Sequence, residues 1–306
     1  MIDTKLERLK ESVIVVIPAY NEERFIGSVV LKTLPLVDRV IVVDDGSRDS
    51  TAEIAEAAGA VVVRHGVNQG KGVALNSGFM KARDFHPDVV ITIDGDWQHL
   101  PEEIAHVAAP VLNEGADIVV GSRYLEKTSD VPIQRVVGHW GFTSLTNIVS
   151  GISLTDSQSG YRAFSPRALD KLTFGSSSFS VESEMQFLAR DHDLKVVEVP
   201  ITIRYVDKPK RNVLKHGMVV LNGILGLAAQ HRPLMFFTLP GALTLLAGVL
   251  LGLWVVYSYS IHEKLAVGTA LIGVLLSILG TFAVFTGIML HSIRLQTMEL
   301  KEAIKR

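Results

Sequence analysis

Two stretches of this chain leave little freedom in what it folds into. From 233 to 261, and again from 265 to 293, no Asp, Glu, Lys or Arg occurs. Each run exceeds the roughly 20 apolar residues that cross a hydrocarbon core of about 30 Å. Backbone polar groups inside lipid must bond one another, so such runs are helices. Only His262, Glu263 and Lys264 separate them. They therefore read as a hairpin crossing a bilayer twice, with spans at about 234–258 and 265–290. Internal glycines and Pro240 are tolerated in membrane helices. A buried hairpin within a soluble protein is the alternative that the pattern leaves.

The flanks predict an orientation. Lys208, Lys210, Arg211, Lys215 and Arg232 precede the first run; Arg294, Lys301, Lys305 and Arg306 follow the second. Excess positive charge stays on the cytosolic side, so the region before the hairpin and both termini are expected there. The first 12 residues hold no apolar stretch, so no cleavable signal sequence is expected. The sequence thus predicts three parts: a large N-terminal domain over 1–211, an interfacial amphipathic helix over 212–232 and the hairpin with a short tail over 233–306. Residues 135–151, which include Trp140, have a similar interfacial pattern, with packing on a sheet as the alternative.

Net charge is −2, so no nucleic-acid partner is expected. The chain has no cysteine, which excludes disulfides, thiolate metal sites and a cysteine nucleophile.

Residues 12–123 alternate β-branched runs with helical spacing. "SVIVVIP", "RVIVVDD", "AVVVRH", "DVVITID" and "DIVVGSR" read as strands buried on both faces. "NEERFIGSVVLKTL", "SRDSTAEIAEAAG", "KGVALNSGFMKARD" and "PEEIAHVAAPVLNEG" read as helices, with Ser50 and Pro101 near starts and Gly59 and Gly115 near ends. The alternation predicts an α/β fold with a mostly parallel sheet. Ligands of such sheets bind beyond the carboxyl ends of the strands. Polar clusters fall there: "PAYNEE", "DDGSRDS", "DGDWQH" and "GSRY". They point to a nucleotide or phosphate ligand. Neither a G-x-G-x-x-G after the first strand nor a P-loop motif occurs, which disfavours dehydrogenases and P-loop enzymes.

"VIPAYNEE", "VVDDGSRDST", "NQGKGVALNSGF", "DGDWQH" and "GSRY" together resemble the family-2 glycosyltransferases of GT-A fold. The following "DSQSGYRAF" (156–164) resembles their polyprenyl-phosphate (dolichyl-phosphate) hexosyltransferase branch. The resemblance covers roughly residues 12–215. It implies a GDP- or UDP-sugar donor, a polyprenyl or dolichyl phosphate acceptor, a bilayer environment and a Mg²⁺ or Mn²⁺ cofactor.

Carried over residue by residue, the resemblance puts Pro18, Ala19, Tyr20, Glu22, Asp45, Lys71, Asp94 and Gly95 at the donor, with Asp45 at the base or ribose. Lys71 has a solvated helix-start lysine as its alternative. Asp96 and Gln98 are the implied metal ligands, since hard divalent ions take oxygen ligands and leave room for substrate phosphates. Residues 94, 96 and 98 would share one face if the strand stayed extended. Asp96, Arg123, Arg135 and Asp156 are the implied catalytic residues. Arg123, Arg135, Arg204, Lys210, Arg211 and Lys215 are candidates to grip the acceptor phosphate. The chain departs from the branch at Arg211-Asn212, where many relatives have a Ser-Lys pair. Asp156 either works in the active site or caps a turn. Glu184 either contacts sugar or, with Glu182, favours a helix N-terminus.

The expected reaction is inverting transfer of a hexose (mannose, glucose or N-acetylhexosamine) to the lipid phosphate at the cytosolic face. Two alternatives stay open: transfer to a glycolipid or glycan hydroxyl, and a non-catalytic, membrane-anchored nucleotide-sugar-binding protein. A homo-oligomer is compatible with the small residues of the hairpin.

Overall fold

Strands form where β-branched residues can be covered on both faces, and the computed structural model shows how each face is covered. It describes residues 13–125, 133–175, 181–204, 226, 232–263 and 265–305. The chain divides into two compact units, Met1–Ile224 and Leu225–Arg306.

In the first unit the five predicted strands are β1 (Val13–Ala19), β2 (Arg39–Asp44), β3 (Val61–Arg64), β4 (Val89–Thr92) and β5 (Ile118–Ser122). Two more join them, β6 (Arg162–Phe164) and β7 (Val196–Pro200). The order is β3-β2-β1-β4-β6-β5-β7, parallel except for β6, which runs antiparallel to β4 and β5. Alternate residues feed two cores. Val13, Val15, Ile17, Val40, Val42, Val89 and Ile91 face one side; Ile14, Val16, Ile41, Val43 and Val90 face the other.

The first face is covered by α1 (Ile26–Thr33), α2 (Thr51–Ala57) and α4 (Ile104–Glu114), through residues such as Val30, Ala55 and Val107. The second is covered by α3 (Lys71–Arg83), α6 (Pro166–Lys171) and α7 (Val181–Asp191), through Leu75, Phe79, Leu169 and Met185. Ser50 and Gly115 do bound α2 and α4, and Gly115 takes the left-handed conformation that ends a helix.

One expected helix starts later than its spacing predicts. The pattern from Asn21 becomes α1 only at Ile26, because the backbone of 21–23 bonds the neighbouring loop. Between β5 and β6 lies α5 (Ile133–Ser150), which is buried on one side and exposed on the other. Thr143, Thr146 and Val149 are buried, while Trp140 is 71% exposed and Ile148 is exposed as well.

In the second unit a π-helical turn (Leu234–Thr238) leads into α8 (Leu239–His262), which is followed by α9 (Val267–Lys305). The segments Leu234–His262 and Val267–Thr297 are long and apolar enough to cross a membrane. The only α8 residues that are buried among those described are Gly241, Gly248 and Val255. Leu243, Leu253, Leu271 and Phe282 face outward, which suits lipid rather than water. The two helices approach through small residues. A Cβ on Gly241 would lie 2.8 Å from that of Ala283, and one on Gly248 would lie 2.5 Å from Ser277 Oγ. Such close backbone approach is the usual basis of helix pairing in membranes. Residues 205–225, and with them most of the expected interfacial helix, lie outside the described residues.

Candidate active site

The carboxyl ends of β1, β2, β4 and β5 carry the four polar clusters, and the structure ties these clusters together. The loops after β1 and β2 are stapled by reciprocal bonds. Asn21 N donates to Ser47 Oγ and Arg48 N to Asn21 Oδ1, both at 2.9 Å. Glu22 N donates to Thr51 Oγ1 at 2.8 Å, and Ser50 N to Glu23 Oε2 at 3.1 Å. Pro18 and Ala19 end β1 beneath this staple, and Tyr20 is exposed beside it. Asp45, expected at a base or ribose, is 3% exposed and bonds the protein's own backbone. Its Oδ1 accepts from Gln69 N at 2.9 Å, and its Oδ2 from Gly70 N at 2.8 Å.

Lys71 opens α3 directly after that loop. Its Nζ sits 2.7 Å from Asp94 Oδ1 and 2.7 Å from Glu182 Oε1. The solvated-lysine alternative is thereby excluded: Lys71 is a cross-link between α3, the end of β4 and α7. Burial opposes its charge, but Asp94 and Glu182 outweigh burial and hold it above the ordinary lysine range. Asp94 responds in kind. Burial would raise it, but Lys71 and His99 hold it below the usual carboxylate range. Gly160 lets the cluster close, because a Cβ there would lie 2.6 Å from Asp94 Oδ2 and 3.0 Å from Lys71 Nζ.

The extended geometry expected for 94–98 is not found. β4 ends at Thr92, and Trp97 adopts φ +65°, a conformation unfavourable for a bulky residue. Asp96 and Gln98 nevertheless meet: Gln98 Nε2 donates to Asp96 Oδ2 at 2.5 Å. A left-handed turn, rather than strand alternation, brings them together. Trp97 packs against the core, with Lys32 Nζ 5.6 Å from its ring centroid.

Asp96 carries the test of whether a divalent ion fits. Burial, and next the charge of Asp94, push its pKa up, the response of a carboxylate that lacks a counter-ion. Lys71 is committed to Asp94 and Glu182, so neither of its ion pairs reaches Asp96. A divalent cation fits a buried carboxylate in that position, and Asp96 and Gln98 would supply oxygens for it. Among the described residues no third acidic or histidine side chain completes a protein-only site. The remaining ligands would come from substrate or water.

Across the site, Arg123 after β5 forms a two-pronged ion pair with Asp156. Nη2 donates to Oδ1 at 2.6 Å, and Nε donates to Oδ2. Asp156 is 0% exposed. Glu198 on β7 holds its loop by accepting from Thr155 N at 2.8 Å and from Asp156 N at 3.1 Å. Beneath them Arg162 is fully buried; Nε donates to Ser159 O at 2.9 Å and Nη2 to Ser157 O at 2.7 Å. Burial lowers its pKa against the pull of Glu182 and Asp156.

Arg204 stands beside the acidic motif, since its N donates to Gln98 O at 3.0 Å and His99 bridges Ile203. Glu184 is spent on structure, accepting from Gly175 N at 2.7 Å. Gly95 packs near Ile26 and Ile17. Arg135 lies in the first turn of α5 with its side chain outside the described part, and Lys208, Lys210, Arg211 and Lys215 lie outside the described residues.

Glu198, Arg162 and His65, which bonds Asp45, were not singled out from the sequence. Only the burial of a charge beside polar loop residues distinguishes them, and burial is not visible in a sequence. Glu182 was read as a helix-start carboxylate, and it is that as well as a partner of Lys71.

A mostly parallel sheet with one antiparallel insertion, and an acidic strand-end motif set against paired arginine, define a GT-A-like sugar-nucleotide transferase fold. The chain belongs to glycosyl transferase family 2, whose model matches residues 14–173. A Methanococcus voltae protein named UDP-N-acetylglucosamine–dolichyl-phosphate N-acetylglucosaminyltransferase is 34% identical over 214 residues, covering 63% of this chain and 85% of that protein. The undecaprenyl-phosphate mannosyltransferase of Micrococcus luteus is 32% identical over 247 residues, covering 72% and 97%. Among solved structures, glucosyl-3-phosphoglycerate synthase from Mycobacterium tuberculosis in complex with Mg²⁺ and UDP aligns with a TM-score of 0.58 and 26% identity, covering 75% of this chain and 84% of that one.

Proposed function

We propose that the protein transfers a sugar from a nucleoside diphosphate to a polyprenyl phosphate, with inversion at the anomeric carbon. The observation that carries this reading is the Arg123–Asp156 pair. A hydroxyl acceptor needs a general base as it attacks. Asp156 would have to be that base, but it is buried and gripped by a guanidinium. A carboxylate so paired is a weak base. A phosphate monoester already carries an ionised oxygen at neutral pH and needs a cation and alignment instead. Arg123, oriented by Asp156, provides them, since planar guanidinium matches phosphate oxygens. Arg135, Arg204, Lys208, Lys210, Arg211 and Lys215 are the further cations that this reading offers to the acceptor phosphate. The names of the Methanococcus voltae and Micrococcus luteus proteins support a lipid-phosphate acceptor.

The donor occupies the strand ends. The stapled loops after β1 and β2, with Pro18, Ala19, Tyr20 and Glu22, take the nucleoside, while Lys71 with Asp94 and Gly95 sets the floor beneath the diphosphate. Asp96 and Gln98 would hold Mg²⁺ or Mn²⁺, which would neutralise charge on the departing diphosphate. The acceptor phosphate oxygen attacks the sugar C1 from the face opposite the leaving group. The new C1–O bond forms as the old one breaks, releasing nucleoside diphosphate and giving a β-linked product from an α-linked donor. UDP-N-acetylglucosamine is the donor we favour, on the name of the 34% identical relative. The positive flanks of the hairpin support a reaction at the cytosolic face.

Full-length protein in detergent, given labelled UDP-N-acetylglucosamine, polyprenyl phosphate and Mn²⁺, should move label into the organic phase. UDP-glucose and GDP-mannose serve as comparison donors. Label transferred to a polyprenol or glycolipid but never to the phosphate would replace this reading with hydroxyl transfer. Folded protein that transfers nothing from any donor would overturn it.

A further inference from the structure

We infer that His65 is a positioning residue for donor binding, acting through Asp45 on the loop over residues 66–70. The inference rests on the proposed nucleotide site and adds to it the device that holds one of its walls.

His65 follows β3 immediately, and its backbone N donates to Asp44 O at 2.9 Å, extending the β2–β3 ladder. Its ring is largely buried, and both nitrogens are used. Nδ1 lies 2.8 Å from Asp45 Oδ1, and Nε2 lies 2.9 Å from Ser77 Oγ on α3. An ionised carboxylate only accepts, so Nδ1 carries the proton and donates. In the neutral ring Nε2 then accepts from the Ser77 hydroxyl. The ring therefore locks Asp45 between the end of β2 and the body of α3.

Asp45 in turn holds the loop. Its Oδ1 receives Gln69 N as well as His65, and its Oδ2 receives Gly70 N. Residues 66–69 are exposed, and Val67 is 69% exposed, so apolar burial does not fix the loop. Its backbone lies directly on Gly46, where φ is +72° and a Cβ would fall 2.5 Å from the Val67 carbonyl carbon. The loop thus sits on the turn after β2 and ends at Lys71, which binds Asp94 and Glu182.

A wall without a hydrophobic anchor keeps one shape only while its polar clamp is intact. Loosening it makes nucleotide binding bear the ordering entropy that the clamp has already removed. Chemistry on a bound donor is untouched, because His65 is remote in bonding from Asp96, Gln98 and Arg123. The expected signature is weaker donor binding with turnover preserved.

The test uses full-length protein and two readouts: UDP binding with Mn²⁺ by calorimetry, without turnover, and KM and kcat for the donor. His65→Leu keeps bulk and removes both polar atoms. It should raise the UDP Kd and the donor KM by about tenfold, the scale of one charge-assisted bond, with kcat within about threefold. His65→Asn, whose amide N–H falls near the place of Nδ1–H, should recover most of the affinity. Ser77→Ala should raise Kd by about threefold, the scale of a neutral bond. A merely structural histidine would lower the melting midpoint and leave the Kd of the folded fraction alone. The inference is overturned if His65→Leu and Ser77→Ala bind UDP as tightly as the natural chain, or if His65→Asn is no better than His65→Leu. Should His65→Leu fail to fold, the Ser77→Ala affinity decides in the same sense. Natural protein that binds no nucleoside diphosphate at all is a different outcome, and it sinks the functional reading itself.

Discussion

The two sides of the candidate site balance charge in opposite ways. At the end of β4, Asp94 shares Lys71 with Glu182 of α7, while burial and the charge of Asp94 push the pKa of Asp96 up. At the end of β5, Arg123 and Asp156 neutralise each other in a two-pronged pair. On the proposed reading the first side receives a cation. The second has already spent its carboxylate on orienting a guanidinium. The difference teaches that the acidic residues of this site do not do the same work: Asp156 supports an arginine, whereas Asp96, without an ion pair among the described residues, is the carboxylate proposed to bind a metal.

Substitutions at each side should separate these roles. The largest effect is expected from Asp96→Ala, which removes one of the two implied metal oxygens. Turnover should fall by about a thousandfold, as should turnover of the natural chain after chelation, because charge on the leaving diphosphate goes unneutralised. Mn²⁺ titration should show the lost affinity, and circular dichroism should show both membrane helices retained. Near-normal turnover in Asp96→Ala would remove the asymmetry altogether.

Asp156→Asn should lower kcat by about a hundredfold, since the guanidinium it leaves is buried and misaligned. Mn²⁺ affinity should stay unchanged, and the pH–rate profile should keep its shape. A lost acidic limb in that profile would mean that Asp156 is a base after all.

Gly160→Ala tests the close packing on the acidic side. Its Cβ would displace the Asp94 carboxylate, so donor KM should rise by about tenfold in a protein that still folds. An unchanged KM would show that Asp94 has room to move.

The smallest effect concerns stability and pH. Lys71 holds Asp94 below its usual pKa, so that stabilisation is complete above about pH 4 and is lost as pH falls further. Asp94 and Glu182 in turn hold Lys71 above its usual value, so its share is complete below about pH 10 and is lost only above that. The melting midpoint of the natural chain should therefore exceed that of Lys71→Met by a few degrees across neutral pH, and the gap should shrink below about pH 4. A gap that is constant down to pH 3 would mean that the lysine stabilises by packing its stem rather than through charge.

Much of this molecule was legible in its sequence because burial on both faces leaves a local trace. Continuous β-branched runs marked β1 to β5, and two charge-free runs marked the hairpin helices. The strands β6 and β7 left weaker traces. Arg162–Phe164 has three residues and carries an arginine, and it is a strand only because β4 and β5 flank it. Val196–Pro200 contains Glu198, which reads as a surface residue until its bonds to Thr155 and Asp156 are seen. The acidic motif was legible as a place but not as a geometry. The extended alternation expected for Asp94, Asp96 and Gln98 gave way to a left-handed turn at Trp97, which local pattern does not reveal.

By itself the sequence determined the α/β class, the hairpin and the clustering of polar residues at strand ends, because hydrophobic periodicity and turn chemistry act within a few residues. Only the tertiary structure decided which charges are partners. Lys71 meets Asp94 and Glu182, Arg123 meets Asp156, and His65 reaches Ser77 through contacts between distant segments. An ion pair has no sequence period, so it becomes visible only when the sheet has brought its two halves together.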